Sequence, residues 1–183
     1  MSLSPTLPAQ RCRAAVTARL SNATNGFNPF LIACTAGAGL TPFTIDFADD
    51  SLTYLHGKYD INQLFEDSEI TLPAIAVYQG PVAPASPRDN LVGGVFSGYV
   101  AFGLDVHIMS TEGQSQSQFD QMVSCVHDAV VNAFNVVGAA DYASRELIWN
   151  NNISMGQPSR ILDEDTGTYL STLAFRLNFY SPV

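Results

Sequence analysis

Charge is what this chain has least of. Only 14% of its 183 residues are Asp, Glu, Lys or Arg, where about a quarter is usual, so part of the surface is expected to be covered by partners. Basic residues are rarer still: eight Lys and Arg stand against seventeen acids, for a net charge of −9. That balance excludes a basic groove for a phosphate backbone. Three of the eight, Arg11, Arg13 and Arg19, fall in one early segment. The three cysteines, Cys12, Cys34 and Cys125, form no CxxC pair and no disulfide framework, which points to a reducing compartment. No apolar run approaches the roughly 18 residues of a membrane span. The opening "MSLSPTLPAQRCR" lacks the apolar centre of a signal peptide. A soluble protein made in a cytoplasm is expected, which leaves the sequons at Asn22 and Asn152 as chance matches.

Motifs of catalysis are missing too. There is no GxGxxG, no GxxxxGK[ST], no GxSxG elbow and no HExxH. His56, His107 and His127 are isolated, and Cys125 and His127, two apart on a predicted helix, do not face each other. Acids gather in "DFADD", "FEDSE" and "DEDTG". A calcium loop started at Asp163 requires Gly at its sixth position and Glu at its twelfth, where this chain has Thr168 and Ala174. No metal, no cofactor and no catalytic residue is therefore predicted, and the chain reads as a non-enzyme.

What is present is apolar patterning. Hydrophobic residues make up 46% of the chain, enough for a real core, and one domain spanning residues 1–183 is expected. A helix is predicted from Pro8 to Ala23, with Cys12, Val16, Leu20 and Ala23 as its buried stripe and the three arginines on the surface. Gly26 ends that pattern. "FNPFLIACTAGAGLTP" reads as a short buried strand, "FTIDFA" alternates Phe43, Ile45 and Phe47, and "DINQLFED" suggests a helical turn. In "LPAIAVYQG", Pro73 opens a strand with Ile75 and Val77 on one face. The segment Pro81–Gly94 carries Pro81, Pro84 and Pro87 and reads as an extended loop or arm.

"YVAFGLDVHIM" is the clearest strand. Val100, Phe102, Leu104, Val106 and Ile108 share one face, while Ala101, Gly103, Asp105 and His107 share the other. The second face is small and polar, as for a sheet covered by helices on one side, with His107 on the sheet surface. Ser117 and Asp120 resemble a capping box for a helix that buries Phe119, Met122, Val123, Val126, Val130, Ala133 and Phe134. "NISMGQPSRIL" is a predicted strand. "DEDTG" then turns the chain into a last strand with Leu173, Phe175, Leu177 and Phe179 on its core face. The acids at Asp163 and Asp165 read as the tip of a hairpin.

Taken in order, "RAAVTARL", "LPAIAVY", the helix after "YVAFGLDVHIMS" and the closing "DEDTGTYLSTLAFRLNFYSP" resemble the tail terminator (tail completion) proteins of long-tailed bacteriophages, from about Arg11 to Tyr180. The resemblance implies an α+β subunit: a mixed or antiparallel sheet with helices packed mainly on one face. It implies a homo-oligomeric ring, typically hexameric, that caps the tail tube, ends its growth and joins tail to head in the virion. The partners would be the tail tube protein and the head-tail connector or neck proteins. DNA would pass through the bore without sequence-specific binding, and an acidic lumen would repel its phosphates. Candidate subunit-interface residues are Arg11, Arg13 and Arg19 on the first helix, Pro84, Pro87 and Arg88 in the arm, and Asp163 and Asp165 in the hairpin. The region Phe27–Asp60 and the arm depart from the shortest family members. The alternatives are a head-completion or neck adaptor protein and, from a different class, a small-molecule-binding module or an enzyme. A pocket holding His107 or His127 beside a perturbed carboxylate would mark the latter.

Overall fold

The period-two alternation of Phe102, Leu104, Val106 and Ile108 places one face of a long strand against helices, and the rest of the fold is assembled around it. The computed structural model describes residues 6–59, 63–64, 70–84, 98–135, 148–149, 154–155, 159–163 and 167–181. Three helices, α1 (Thr6–Leu20), α2 (Phe27–Ala38) and α3 (Gln116–Asn135), accompany seven strands. The strands are β1 (Tyr54–His56), β2 (Ala74–Pro84), β3 (Gly98–Met109), β4 (Ile148–Trp149), β5 (Ser154–Met155), β6 (Ser159–Asp163) and β7 (Thr168–Ser181). The sheet runs β1-β2-β3-β7, with β4, β5 and β6 paired in turn along the far edge of β7. Among the described residues β1 and β2 pair in parallel, and the other pairings are antiparallel. This is the expected α+β architecture with a mixed sheet.

The helices lie on the face that carries Phe102, Leu104, Val106, Ile108, Leu173, Phe175 and Leu177, and all seven side chains share one core with them. From α3 come Phe119, Met122, Val123, Val126, Ala129, Val130 and Phe134. Each large side chain so buried stabilises the fold by about 1.5–3 kcal/mol. The cap of α3 stands two residues ahead of the expected one. Ser115 Oγ accepts the Gln118 N–H at 3.3 Å, while Gln118 Oε1 accepts the Ser115 N–H at 3.0 Å. Ser-x-x-Gln thus forms the reciprocal box that Ser117 and Asp120 were expected to make.

The stretch read as a strand at Phe27 is a helix. Its apolar residues run on without a period, and such a run does not by itself separate buried helix from buried strand. Phe27, Leu31 and Thr35, four apart, point inward, and Pro29 sits in the first turn, where it is tolerated. Gly39 closes α2 at φ 67°, donating its N–H to Ala36 O, and Leu40 N–H reaches Thr35 O at 2.9 Å. The left-handed conformation explains the glycine.

Residues 41–47 carry no ladder, yet Phe43, Ile45 and Phe47 do pack against the core. A side chain replaces the missing strand partner. Asn28 Nδ2 donates to Ile45 O at 2.8 Å and its Oδ1 accepts the Ile45 N–H at 2.9 Å.

Two further expectations shift. The arm was read from Pro81, but β2 continues to Pro84, paired with Gly98. Residues 85–97, including Pro87 and Arg88, lie outside the described residues. Ala23 is exposed and beyond α1, so the buried stripe ends at Val16 and Leu20. "NISMGQPSRIL" supplies two short strands, β5 and β6. Gln63 and Leu64 are helical, and the rest of "DINQLFED" lies outside the described residues.

Phe175 is 2% exposed in the core. Phe175→Asp removes a packed ring and buries a carboxylate, at a cost of at least about 5 kcal/mol, comparable with the whole stability of a domain. The expected outcome is loss of the cooperative thermal transition in circular dichroism. A variant that melts like the parent would show that β7 does not present this residue to the core.

Candidate functional site

Strand alternation brings the polar residues of three strands onto the face away from the helices. Across it, Ala74 pairs with His107, Ala76 with Asp105 and Tyr78 with Gly103, while on β7 Thr172, Ala174 and Arg176 stand opposite the same three β3 residues. This face was expected to be open sheet surface. Instead Asp105 is 5% exposed and His107 1%. A second small apolar cluster explains part of the difference: Leu55, Ala74 and Ala76, with Tyr59, Ile70 and Leu72 packed on them.

Tyr78 also lies flat across the face. Its ring occupies the space where a Cβ on residue 103 would stand, which requires Gly103. The Tyr78 hydroxyl donates to Asp105 Oδ1 at 3.1 Å, and Lys58 Nζ sits 5.8 Å from the ring centre. Burial raises the Asp105 pKa, partly offset by the Tyr78 hydrogen bond and the Lys58 charge. Burial and the neighbouring carboxylate push Tyr78 up to about 12. His107 shares a 2.9 Å hydrogen bond between Nδ1 and Thr172 Oγ1, and its buried Nε2 has no partner among the described residues. Burial lowers its pKa to about 4.

This arrangement is poor in chemistry. An imidazole with so low a pKa is a weak base at neutral pH, and Asp105 is engaged by Tyr78. Among the described residues no hydrogen bond joins Asp105 to His107, and no group of three or more His, Cys, Asp or Glu could hold a metal. His127 hydrogen-bonds its neighbour Asp128 at 3.0 Å near the surface, and its ring stacks on Phe175 with centroids 6.1 Å apart. A cavity of about 350 Å³ lies elsewhere, between the end of α2, the end of β3 and the start of α3, and Glu112 is its one ionisable lining residue. It contains neither histidine.

The residues singled out as interface candidates are spread over the fold. Arg13 is exposed on α1, and Arg11 belongs to the same helix. Arg19 is 4% exposed, which corrects its expected surface position. The reason is spacing: residue 19 follows Val16 by three and so falls on the buried stripe. Pro84 ends β2, and Asp163 ends β6 opposite Thr168. Asp165, like Pro87 and Arg88, lies outside the described residues. Asp46, Asp49 and Asp50 of "DFADD" are exposed.

The connection after Pro84 and the acidic hairpin leave opposite ends of the sheet. Pro84, Gly98 and Ser181 are in register at one end, and Met109 with Leu170 at the other, next to the β6–β7 turn. The twelve residues of β3 separate the two ends, roughly 36 Å along the strand.

One surface went unnoticed in the sequence reading. The outer side of α2 exposes Ile32 at 44%, with Ala33, Ala36 and Gly37 also exposed. From Leu20 through Ile45 there is no charged residue. That gap in charge was a legible signal for an uncharged surface.

No protein-family model matches this chain, and no curated protein matches it. Among solved structures it is similar to a chain of the virion of a native gene transfer agent particle, with a TM-score of 0.39 and 16% identity over 94% of this chain and 97% of that chain. Likeness of this degree leaves function to be argued from the chain itself. Among the described residues no helix is long and apolar enough to cross a membrane.

The His107 environment gives a pH signature. With a folded pKa of about 4 against 6.5, the unfolded chain takes up a proton that the folded chain refuses. The contribution of His107 is fully present above pH 6.5 and is lost as pH falls through about 4, by about 3 kcal/mol in total. Asp105 acts with the opposite sign, because its pKa is raised on folding. His107→Gln is therefore expected to flatten the decline in stability between these pH values relative to the parent, measured by urea unfolding. Parallel pH profiles for the two proteins would contradict this burial.

Proposed function

We propose that this chain is a non-enzymatic structural subunit of a phage-like particle, and more narrowly a tail terminator: a ring at the head-proximal end of the tail tube that ends tube growth and joins tail to head. The observation that carries this reading is the placement of two chain features at opposite ends of one rigid scaffold. The connection between Pro84 and Gly98 leaves one end of β2–β3–β7, and the hairpin at Asp163–Thr168 leaves the other. A closed ring of identical subunits uses heterologous contacts, in which two different patches of each copy meet. A subunit between a tube and a head also needs two distinct ends. The long antiparallel core separates them, and the scarcity of charge suits a surface spent on contacts.

Three further features support the same reading. The early helix, the "LPAIAVY" strand, the helix after β3 and the acid-turned closing hairpin all form at the residues that carry the tail-terminator resemblance. The uncharged outer side of α2 supplies a surface for neighbours. The polar residues on the second sheet face act as packing, with Tyr78 bonded to Asp105 and His107 Nδ1 to Thr172. The ring number proposed by the resemblance is six, with the tube protein and neck proteins as partners and the virion as location.

The decisive experiment is negative-stain imaging of particles made when this gene is silenced in the phage-like element that encodes it. Overlong tubes of variable length beside filled, tailless heads are expected. Tubes of normal length beside unattached heads would place the protein on the head side as a neck adaptor. Normal particles would overturn the structural reading.

A second prediction concerns the arm. Replacing residues 85–97 by an Asn-Gly turn joins Pro84 to Gly98, which already face each other. The variant is expected to melt cooperatively within a few degrees of the parent, while native mass spectrometry shows the ring reduced to monomers. Intact rings would remove the arm from the interface.

A further inference from the structure

The cavity at the end of β3 combines an apolar lining with hydrogen-bond donors and a single charge. Leu40, Pro42, Phe43, Pro73 and Met109 supply the apolar part. Met109, 42% exposed, is one of three large hydrophobic residues left at the surface among the described residues. Gln114 Oε1 accepts the Thr111 N–H and Gln118 Oε1 the Ser115 N–H, each at 3.0 Å. With their carbonyls so used, the amide NH2 groups of both lining glutamines remain as donors for the carbonyls of an incoming chain. Glu112 is exposed and adds the charge. A volume of about 350 Å³ suits a few side chains of an extended segment.

We infer that this cavity is the socket for residues 85–97 of a second copy of the chain, a docking that rests on the ring subunit proposed above. Complementarity of charge and of apolar content carries the choice of occupant. Arg88 is the one base in residues 85–97, and Glu112 is the one ionisable residue of the lining. The same segment offers Pro87, Leu91, Val92, Val95 and Phe96 to an apolar surface. Pro87 also restricts the free chain, which lowers the entropy lost when the segment is held. A Pro-containing segment laid on an aromatic and proline lining, with its carbonyls taken by side-chain donors, is a recurrent mode of peptide recognition.

Reach makes the docking intermolecular. The segment is tethered at Pro84 and Gly98, which face each other at one end of the sheet. Out and back from there, its tip extends at most about 25 Å. Met109, at the cavity, stands at the far end of β3 from Gly98, roughly 36 Å along the strand. A chain therefore cannot fill its own socket, and only a neighbour's segment can. The contact joins one end of a subunit to the opposite end of the next. Such a heterologous contact, repeated, closes a ring.

The test mixes unlabelled and 15N-labelled full chain carrying a benzophenone amino acid in place of Leu91. Irradiation is expected to link Leu91 of one copy to residues 39–43 or 108–114 of another, seen as peptide pairs of mixed isotope content. In native mass spectrometry, Glu112→Arg and Arg88→Glu should each lower the ring-to-monomer ratio by at least about tenfold. The two reversals together should restore it. Glu112 is exposed, so Glu112→Arg is expected to melt like the parent. Links confined to single copies, links to another surface such as the outer side of α2, or rings that survive either single reversal would each overturn the docking. Those results leave the terminator reading standing. That reading fails instead if particles made without the gene are normal, and head-to-tail links at the cavity would still establish the docking between copies.

Discussion

The pairing of β3 with β7 is the constraint on which the rest depends. Twelve consecutive residue pairs, from Gly98 with Ser181 to Met109 with Leu170, hold one register without a break. A slip by one residue would move Leu173, Phe175 and Leu177 from the helix side to the polar side, where Asp105, His107 and Thr172 now lie. The two strands therefore fix at once which residues form the core and which form the polar seam. The clasp at Ser110 extends this pairing beyond the ladder: its N–H donates to Tyr169 O at 2.8 Å, and its Oγ accepts the Tyr169 N–H at 2.9 Å.

On that scaffold the two faces are built differently. The helix side is a continuous apolar core in which α2 and α3 are packed together over the sheet. The other side has a few aliphatic side chains and a set of enclosed polar groups whose pKa values burial shifts toward the neutral form: His107 downward, Tyr78 and Asp105 upward. Burial that disfavours charge, with Tyr78 bonded to Asp105 and His107 Nδ1 to Thr172, suits a packed layer. The same polar groups that would make a site in an open cleft here serve the interior.

The exposed surfaces are placed by topology. Because β2, β3 and β7 are long and antiparallel, their connections emerge at two well-separated ends. Because α2 covers the core with one side, its uncharged other side is left outward.

Much of this was legible in the sequence. Alternation in "YVAFGLDVHIM" and in the last strand identifies core faces, because a strand has a fixed period of two. The spacing of Phe119 to Phe134 identifies a helix for the corresponding reason at 3.6 residues per turn, and the acids before Thr168 mark a turn because their short polar side chains and Gly167 suit one. What only the tertiary structure decided lay where local signals are silent. The apolar run at Phe27 has no period, so its helical state follows from packing against α3 and from the Gly39 cap. Arg19 is buried because its spacing from Val16 puts it on the inner stripe of α1, whereas His107 is buried because other elements come to cover it, and no residue beside it announces that. Sequence determined the elements with a period; contact between distant elements decided which polar residues were enclosed.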